Sequence, residues 1–286
     1  MLACLGLSIL LFLAFFAIER RAGDAALIPG DILRNRGVAL GCALRTLMAP
    51  VYAATLLYLP QIMQKLLDFS PLQSGFGMLP MLGGYAVVSL LVGSLAGRIS
   101  TRIAIITGLV GLTIGPLLLS SFSVAAGYPG LVVGLALTGI GLGLFQPSIG
   151  TEAVRADPRG CKSLASGLVL MSQFIGGAMG LGVTTAIVAA AERDAVTAHL
   201  AGAGILVSAA ERSALDKMLA GAESAQQVLQ QFDPPVAERL IGVAGEAFAA
   251  GVRSGLRVDA GIVVIGVVLA AMFLLRAGRI PVRRPT

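Results

Sequence analysis

Charge is what this chain has least of. Only 13% of its 286 residues are Asp, Glu, Lys or Arg, against about 25% in ordinary soluble domains. With 56% apolar residues, too little polar surface is left to keep a folded chain of this length dispersed in water. A soluble globular domain is therefore excluded. Histidine is nearly missing as well, since His199 stands alone without candidate metal partners. The three cysteines, Cys4, Cys42 and Cys161, have no metal-like spacing and read as small apolar residues, not as a disulfide frame. No Walker motif, zinc triad or paired-cysteine motif occurs. No catalytic residue, metal site or cofactor is expected. An intramembrane enzyme is disfavoured too, because the apolar runs hold so few His, Asp and Glu.

What the chain does have is length without charge. Residues 1–18, 46–64, 69–97, 103–151 and 163–191 carry none, and a last apolar run follows Asp259. About 20 apolar residues cross the hydrocarbon as a helix. The run 103–151 is long enough for two crossings and breaks at Tyr128-Pro129-Gly130. The pattern predicts an all-α integral membrane protein with about seven spans: 1–18, 37–60, 73–96, 104–122, 131–150, 166–190 and 257–276. The 37 glycines are spread through the apolar runs, as expected where small residues let membrane helices approach closely. Gly139-Ile140-Gly141-Leu142-Gly143 resembles a nucleotide loop but lacks the strand-to-helix setting and the downstream acid, so it reads as packing glycine. A signal peptide carries its basic residues ahead of the apolar segment. Here Glu19-Arg20-Arg21 follow it, the order of a stop-transfer helix.

The net charge of +6 forms no patch for nucleic acid. The positive residues sit in the gaps between runs: Arg20, Arg21, Arg34 and Arg36, then Arg98 and Arg102, then Arg155, Arg159 and Lys162, then Arg279, Arg283 and Arg284. The opposite short gaps hold only Lys65. By the positive-inside rule the richer set is cytoplasmic, with 19–36 a basic cytoplasmic linker and 277–286 a cytoplasmic tail. The N-terminus is then outside and the C-terminus inside, in the cell's inner (plasma) membrane. The long segment 191–256 falls outside. A capping-box pattern at Ser208 and Glu211, a break at Asp233-Pro234-Pro235 and helical spacing of Val236, Leu240, Val243 and Ala247 predict two or three amphipathic helices on the outer surface.

Two segments carry a family resemblance. The first runs from Pro71-Leu72-Gln73-Ser74-Gly75 through a span to Gly93-Ser94-Leu95-Ala96-Gly97-Arg98-Ile99-Ser100-Thr101-Arg102. The second is Leu164-Ala165-Ser166-Gly167 with Gly176-Gly177-Ala178-Met179-Gly180 on the same helix. With their spacing and the long last outer loop, they resemble the C-terminal half of major facilitator superfamily exporters, most closely the fourteen-span drug:proton antiporter branch of the EmrB/QacA type. The resemblance implies a multidrug efflux protein driven by the proton motive force, exporting small amphipathic compounds by alternating access. It implies that the first span corresponds to the eighth of fourteen and the other six to a bundle of two inverted three-helix units, 37–123 and 131–276. The N-terminal half, with the usual proton-coupling residues, would be missing or separately encoded, and this chain alone would be inactive. A membrane-anchored interaction protein that does not transport is the alternative.

In such families the glycines and arginines of the first segment clasp the cytoplasmic gate. Gly93, Gly97, Arg98 and Arg102 match those positions, while Thr101 and Ala104 stand where the family commonly has Asp and Gly. Topology alone could also account for both arginines. Gly167, Gly176, Gly177 and Gly180 are the helix-packing candidates. Arg45 is the oddest residue, nine positions past Arg36 and so roughly 13 Å along a helix. A central arginine costs about 2.5–3.5 kcal/mol on insertion scales. Two readings stand: it faces the substrate cavity, or it snorkels to the interface. Gln146, Met171, Gln173 and Phe174 complete the substrate-pathway candidates, each with ordinary packing or interhelical hydrogen bonding as the plainer account. Asp259, at the outer end of the last span, needs no more than an interfacial role.

Overall fold

A computed structural model of the chain describes residues 35–95, 98, 100–123, 126–156, 162–202 and 234–276, with isolated residues at 6, 7, 10, 14, 17, 18, 21 and 32. Most of the expected first span and linker lies outside the described residues, as do Gly97 and the pattern at Ser208 and Glu211. The helices are α1 (Arg36–Leu66), α2 (Pro71–Gly77), α3 (Leu79–Ser94), α4 (Thr101–Ser120), α5 (Pro129–Ala156), α6 (Lys162–Gly202) and α7 (Pro234–Arg276). No strand occurs among the described residues. Six spans are long and apolar enough to cross a membrane, α2 and α3 counting together as one.

Local chemistry sets the ends. Asn35 caps α1, its side-chain oxygen accepting from the Gly37 and Val38 N–H groups at 2.9 and 3.4 Å. Its amide nitrogen donates to the Ala156 carbonyl at 2.7 Å, fastening the start of α1 to the end of α5. Ser70 and Gln73 form a capping box ahead of Pro71 at the start of α2. The third crossing breaks at Met78 because Pro80 has no N–H to offer the turn before it. Tyr128 braces this break by donating to the Gly77 carbonyl at 3.0 Å. Gly127, at φ 59°, turns the chain into Pro129 at the start of α5, since only glycine enters that region without steric cost.

Helix α1 lies at the centre, against α5, α6 and α7; α5 packs on α3 and α4, and α7 on α4 and α6. Leu44, Met48, Leu59 and Met63 of α1 meet Ile105, Leu109 and Leu112 of α4 and Leu135, Leu142 and Phe145 of α5 in one core. The glycine run of α5 makes close packing possible. A Cβ on Gly141 would stand 2.8 Å from the Gly108 carbonyl oxygen, and one on Gly143 would stand 2.9 Å from that of Tyr85. The α2–α3 span and α6 are the least buried of the six.

The segment 191–256 differs from the expectation of separate surface helices. Residues 191–202 continue α6, and 234–256 are the first half of α7, a 43-residue helix. At 1.5 Å per residue it is about 65 Å long. Leu240, Val243 and Ala247 are buried, so their spacing marks a packed face of a long helix. Helix propagation is indifferent to where hydropathy ends; a run of charges bounds the apolar stretch without stopping the helix.

Candidate functional site

Four places hold side chains that matter. The first is an apolar groove of about 420 Å³ between α1 and α6, lined by Ala49, Tyr52, Leu56, Gln173, Phe174 and Leu181 among others. Phe174 is 68% exposed, while Gln173 is buried to 9% exposure, and its side-chain oxygen has no protein partner. Met171 is exposed nearby on α6 and is not part of the lining. The groove exists because α6 approaches α1 at glycine. A Cβ on Gly176 would lie 2.6 Å from the Thr46 carbonyl oxygen, and one on Gly180 would overlap the Pro50 ring. That carbonyl is the one Pro50 leaves without its helical N–H. Thr46 adds a cross-link, its hydroxyl donating to the Ser172 carbonyl at 3.2 Å. Gly177 makes only ordinary contact and Gly167 faces open space.

Arg45 is 8% exposed, and its Nη1 donates to the Gln146 main-chain carbonyl at 3.2 Å. Nε is buried without a partner. The guanidinium therefore joins α1 to α5 one residue before Pro147. Gln146 contributes through its backbone, which a reading of side chains could not anticipate.

The third place is the basic end of the bundle, where Arg98, Arg102, Arg155 and Lys162 gather around the starts of α4 and α6 and the end of α5. Arg155 Nη1 donates to Thr101 Oγ1 at 3.2 Å. The residue standing where an acid is usual is thus still used to join α4 to α5, by a neutral hydrogen bond. Gly93 has nothing within contact range of an added Cβ, and Arg98 is exposed.

The fourth place was not legible in the sequence. Asp259 on α7 is fully buried at 0% exposure, which corrects the interfacial reading. Thr184 Oγ1 donates to Asp259 Oδ1 at 2.7 Å, and Oδ2 has no hydrogen-bond partner. Glu192 is also buried, at 7% exposure. Tyr58 of α1 donates to Thr185 Oγ1 at 2.9 Å. Lys65, whose Nζ sits 4.4 Å above the Phe248 ring, acts on Glu192. An ionised carboxylate buried without a counter-charge costs several kcal/mol, so Asp259 is an expensive residue to hold here. Its sequence position gave only one hint: an acid three residues into an apolar run.

Six apolar crossings around a glycine-packed centre, with polar groups buried between helices, define an all-helical multi-pass membrane protein. The profile of the Major Facilitator Superfamily matches residues 1–191, and the chain belongs to that family. Among similar proteins is the multidrug resistance protein Stp of Mycobacterium tuberculosis, 32% identical over 188 residues, covering 65% of this chain and 34% of that protein. The drug efflux pump JefA of the same organism is 31% identical over 140 residues, 49% of this chain and 27% of that protein. The puromycin resistance protein pur8 of Streptomyces alboniger is 30% identical over 205 residues, 69% and 39% respectively. The chain spans roughly a third of the length of these curated relatives. Family and relatives point to a transporter and not an enzyme.

Proposed function

We propose that this chain is the C-terminal bundle of a proton-driven exporter of amphipathic drugs, of the fourteen-span EmrB/QacA type, working by alternating access. The observation that carries the reading is the α1–α6 groove. It is an apolar wall with one buried, unpartnered amide oxygen at Gln173 and a largely exposed Phe174 beside it. Such a lining suits ligands that are mostly apolar with one or two polar groups, and half a cavity needs a second wall. The relatives' names, multidrug resistance and drug efflux, support the same substrate class. In this reading the second wall comes from an N-terminal half, in the same polypeptide or supplied separately.

The basic end is then cytoplasmic, as the positive-inside rule asks, and the long ends of α6 and α7 project outside. Arg45 holds α1 to α5 beside Pro147 and so positions the groove, while Arg155 and Thr101 latch the cytoplasmic ends of α4 and α5. The test is drug accumulation in sensitive cells carrying the chain with and without a complementing N-terminal half. Export should need both halves, and Gln173→Leu with Phe174→Ala should change which drugs are exported. Full proton-dependent efflux by the 286-residue chain alone would sink the half-cavity reading.

A further inference from the structure

Building on the reading of this chain as half of a proton-driven exporter, we propose that Asp259 is a proton-carrying carboxyl group of this bundle, supplied from the outer end past Glu192 and Tyr58. Proton coupling would then not be confined to the other half.

The geometry is a ladder along the α6–α7 seam. Thr184, Val188 and Glu192 recur every fourth residue on one face of α6. Opposite them α7 presents Asp259, Gly255 and Gly251. Thr184 bonds Asp259, a Cβ on Gly255 would stand 2.8 Å from Val188 Cγ2, and one on Gly251 would stand 2.6 Å from Glu192 Cγ. The two glycines thus clear a path for the α6 side chains between the two acids, which lie two turns apart, about 12 Å. Tyr58 enters from α1, its hydroxyl bonded to Thr185, the residue after Thr184. Thr55, one turn from Tyr58 and likewise buried, has a hydroxyl without a protein partner. At the outer end lies a cavity of about 370 Å³, lined by Ser123, Ala195, His199, Glu246 and Arg253 among others; Ala195 is three residues beyond Glu192 on α6. From Arg253, Asp259 is six residues deeper, about 9 Å.

A purely structural residue would be served by Asn, which accepts the Thr184 hydrogen bond at its Oδ1 without carrying a charge. The acid instead leaves Oδ2 buried and bare, and a proton on that oxygen removes the charge. Among the described residues no cation is shown paired with it. On α1 the charged or titratable groups facing this region are Tyr58 and Lys65, and Lys65 is spent on Glu192 and Phe248. On α6 there is Glu192, with His199 further out, bonded to Glu246 at 3.4 Å. The only charged residue of α4 is Arg102, at its far, basic end. On α7 itself Arg253 lies at the outer cavity and Arg257 is exposed. Intramembrane acids so placed are the usual parts of proton relays. The step is a reversible protonation: water in the outer cavity gives up a proton, Glu192 and Tyr58 relay it, and Oδ2 binds it, taking the site from −1 to neutral.

The chain, purified and reconstituted in liposomes, can be followed by infrared spectroscopy of protonated carboxyl groups as the external pH is stepped. The expected result is a carboxyl band that grows as pH falls and disappears in Asp259→Asn. In Asp259→Glu it should persist at a shifted frequency, which guards against a misfolded variant. In Glu192→Gln the band should remain but rise roughly 100-fold more slowly, the low end of what a positioned proton-transfer group contributes. A band retained in full in Asp259→Asn, or one indifferent to pH, overturns the proposal; a Glu192→Gln rate equal to wild type overturns the route. Drug exchange in the complete transporter separates the two readings. No drug-coupled proton movement with the Asp259 band intact defeats the exporter and leaves the site, whereas unchanged coupling in Asp259→Asn defeats the site and leaves the exporter.

Discussion

Adding one methyl group at Gly176 should loosen the bundle, while adding it at the adjacent Gly177 should not. At Gly176 the new Cβ would stand 2.6 Å from the Thr46 carbonyl oxygen and 2.7 Å from Thr46 Cα. Carbon–oxygen contacts settle at about 3.3–3.6 Å, so α6 has to back away by about 0.7 Å or more. The obstacle is backbone and cannot swing aside. A gap of that order forfeits a quarter to a half of each dispersion contact along the seam. Overpacking costs about 1–3 kcal/mol, and a backbone obstacle belongs near the upper end. Alanine returns about 1 kcal/mol of helix propensity, leaving a net loss of about 2 kcal/mol. Gly180→Ala, against the Pro50 ring, should behave alike. At Gly177 the nearest atom is Ala49 Cβ at 3.9 Å and at Gly167 there is nothing within 4 Å, so these variants keep only the gain. Thermal unfolding in detergent, run on all four alanine variants, makes the comparison. If Gly176→Ala and Gly177→Ala unfold together, the close seam between α1 and α6 is wrong.

Thr101→Asp should stabilise the chain, because Arg155 already reaches that side chain at 3.2 Å and an acid suits the first turn of α4. The expected gain of about 0.5–1.5 kcal/mol should shrink in high salt, since the pair is exposed. Arg45→Leu should leave thermal stability within about 1 kcal/mol of wild type, the lost bond to Gln146 being offset by removal of a buried charge; a loss above about 3 kcal/mol would refute that account. Tyr128→Phe removes the hydroxyl that braces the Gly77 carbonyl and should cost about 1 kcal/mol. Its effect should be seen as faster hydrogen exchange around Gly77 and Met78 than in wild type.

The crossings were legible because hydropathy is a property of the local sequence, and so were the helix starts at Pro129 and Pro234, since proline's missing N–H is no loss in a first helical turn. The glycine run of α5 was legible as a packing surface, because a missing side chain can be read without knowing its neighbour; on α6 only Gly176 and Gly180 of the four candidates are in close contact. What each polar residue faces was not. Arg45 offered no sign of its hydrogen-bond partner, because that partner is a backbone carbonyl 101 residues away. Asp259 looked interfacial only while the last helix was thought to begin beside it; with α7 starting at Pro234, the same residue is buried in the seam.

By itself, the sequence determined the solvent, the all-α class and six of the seven expected membrane-crossing helices, the first lying mostly outside the described residues, since uncharged length leaves the helix as the way to satisfy so much backbone. Only the tertiary structure decided which polar groups are buried together. Thr184 of α6 bonds Asp259 of α7, and Tyr58 of α1 bonds the adjoining Thr185, and no local pattern encodes a contact made by the crossing of separate segments.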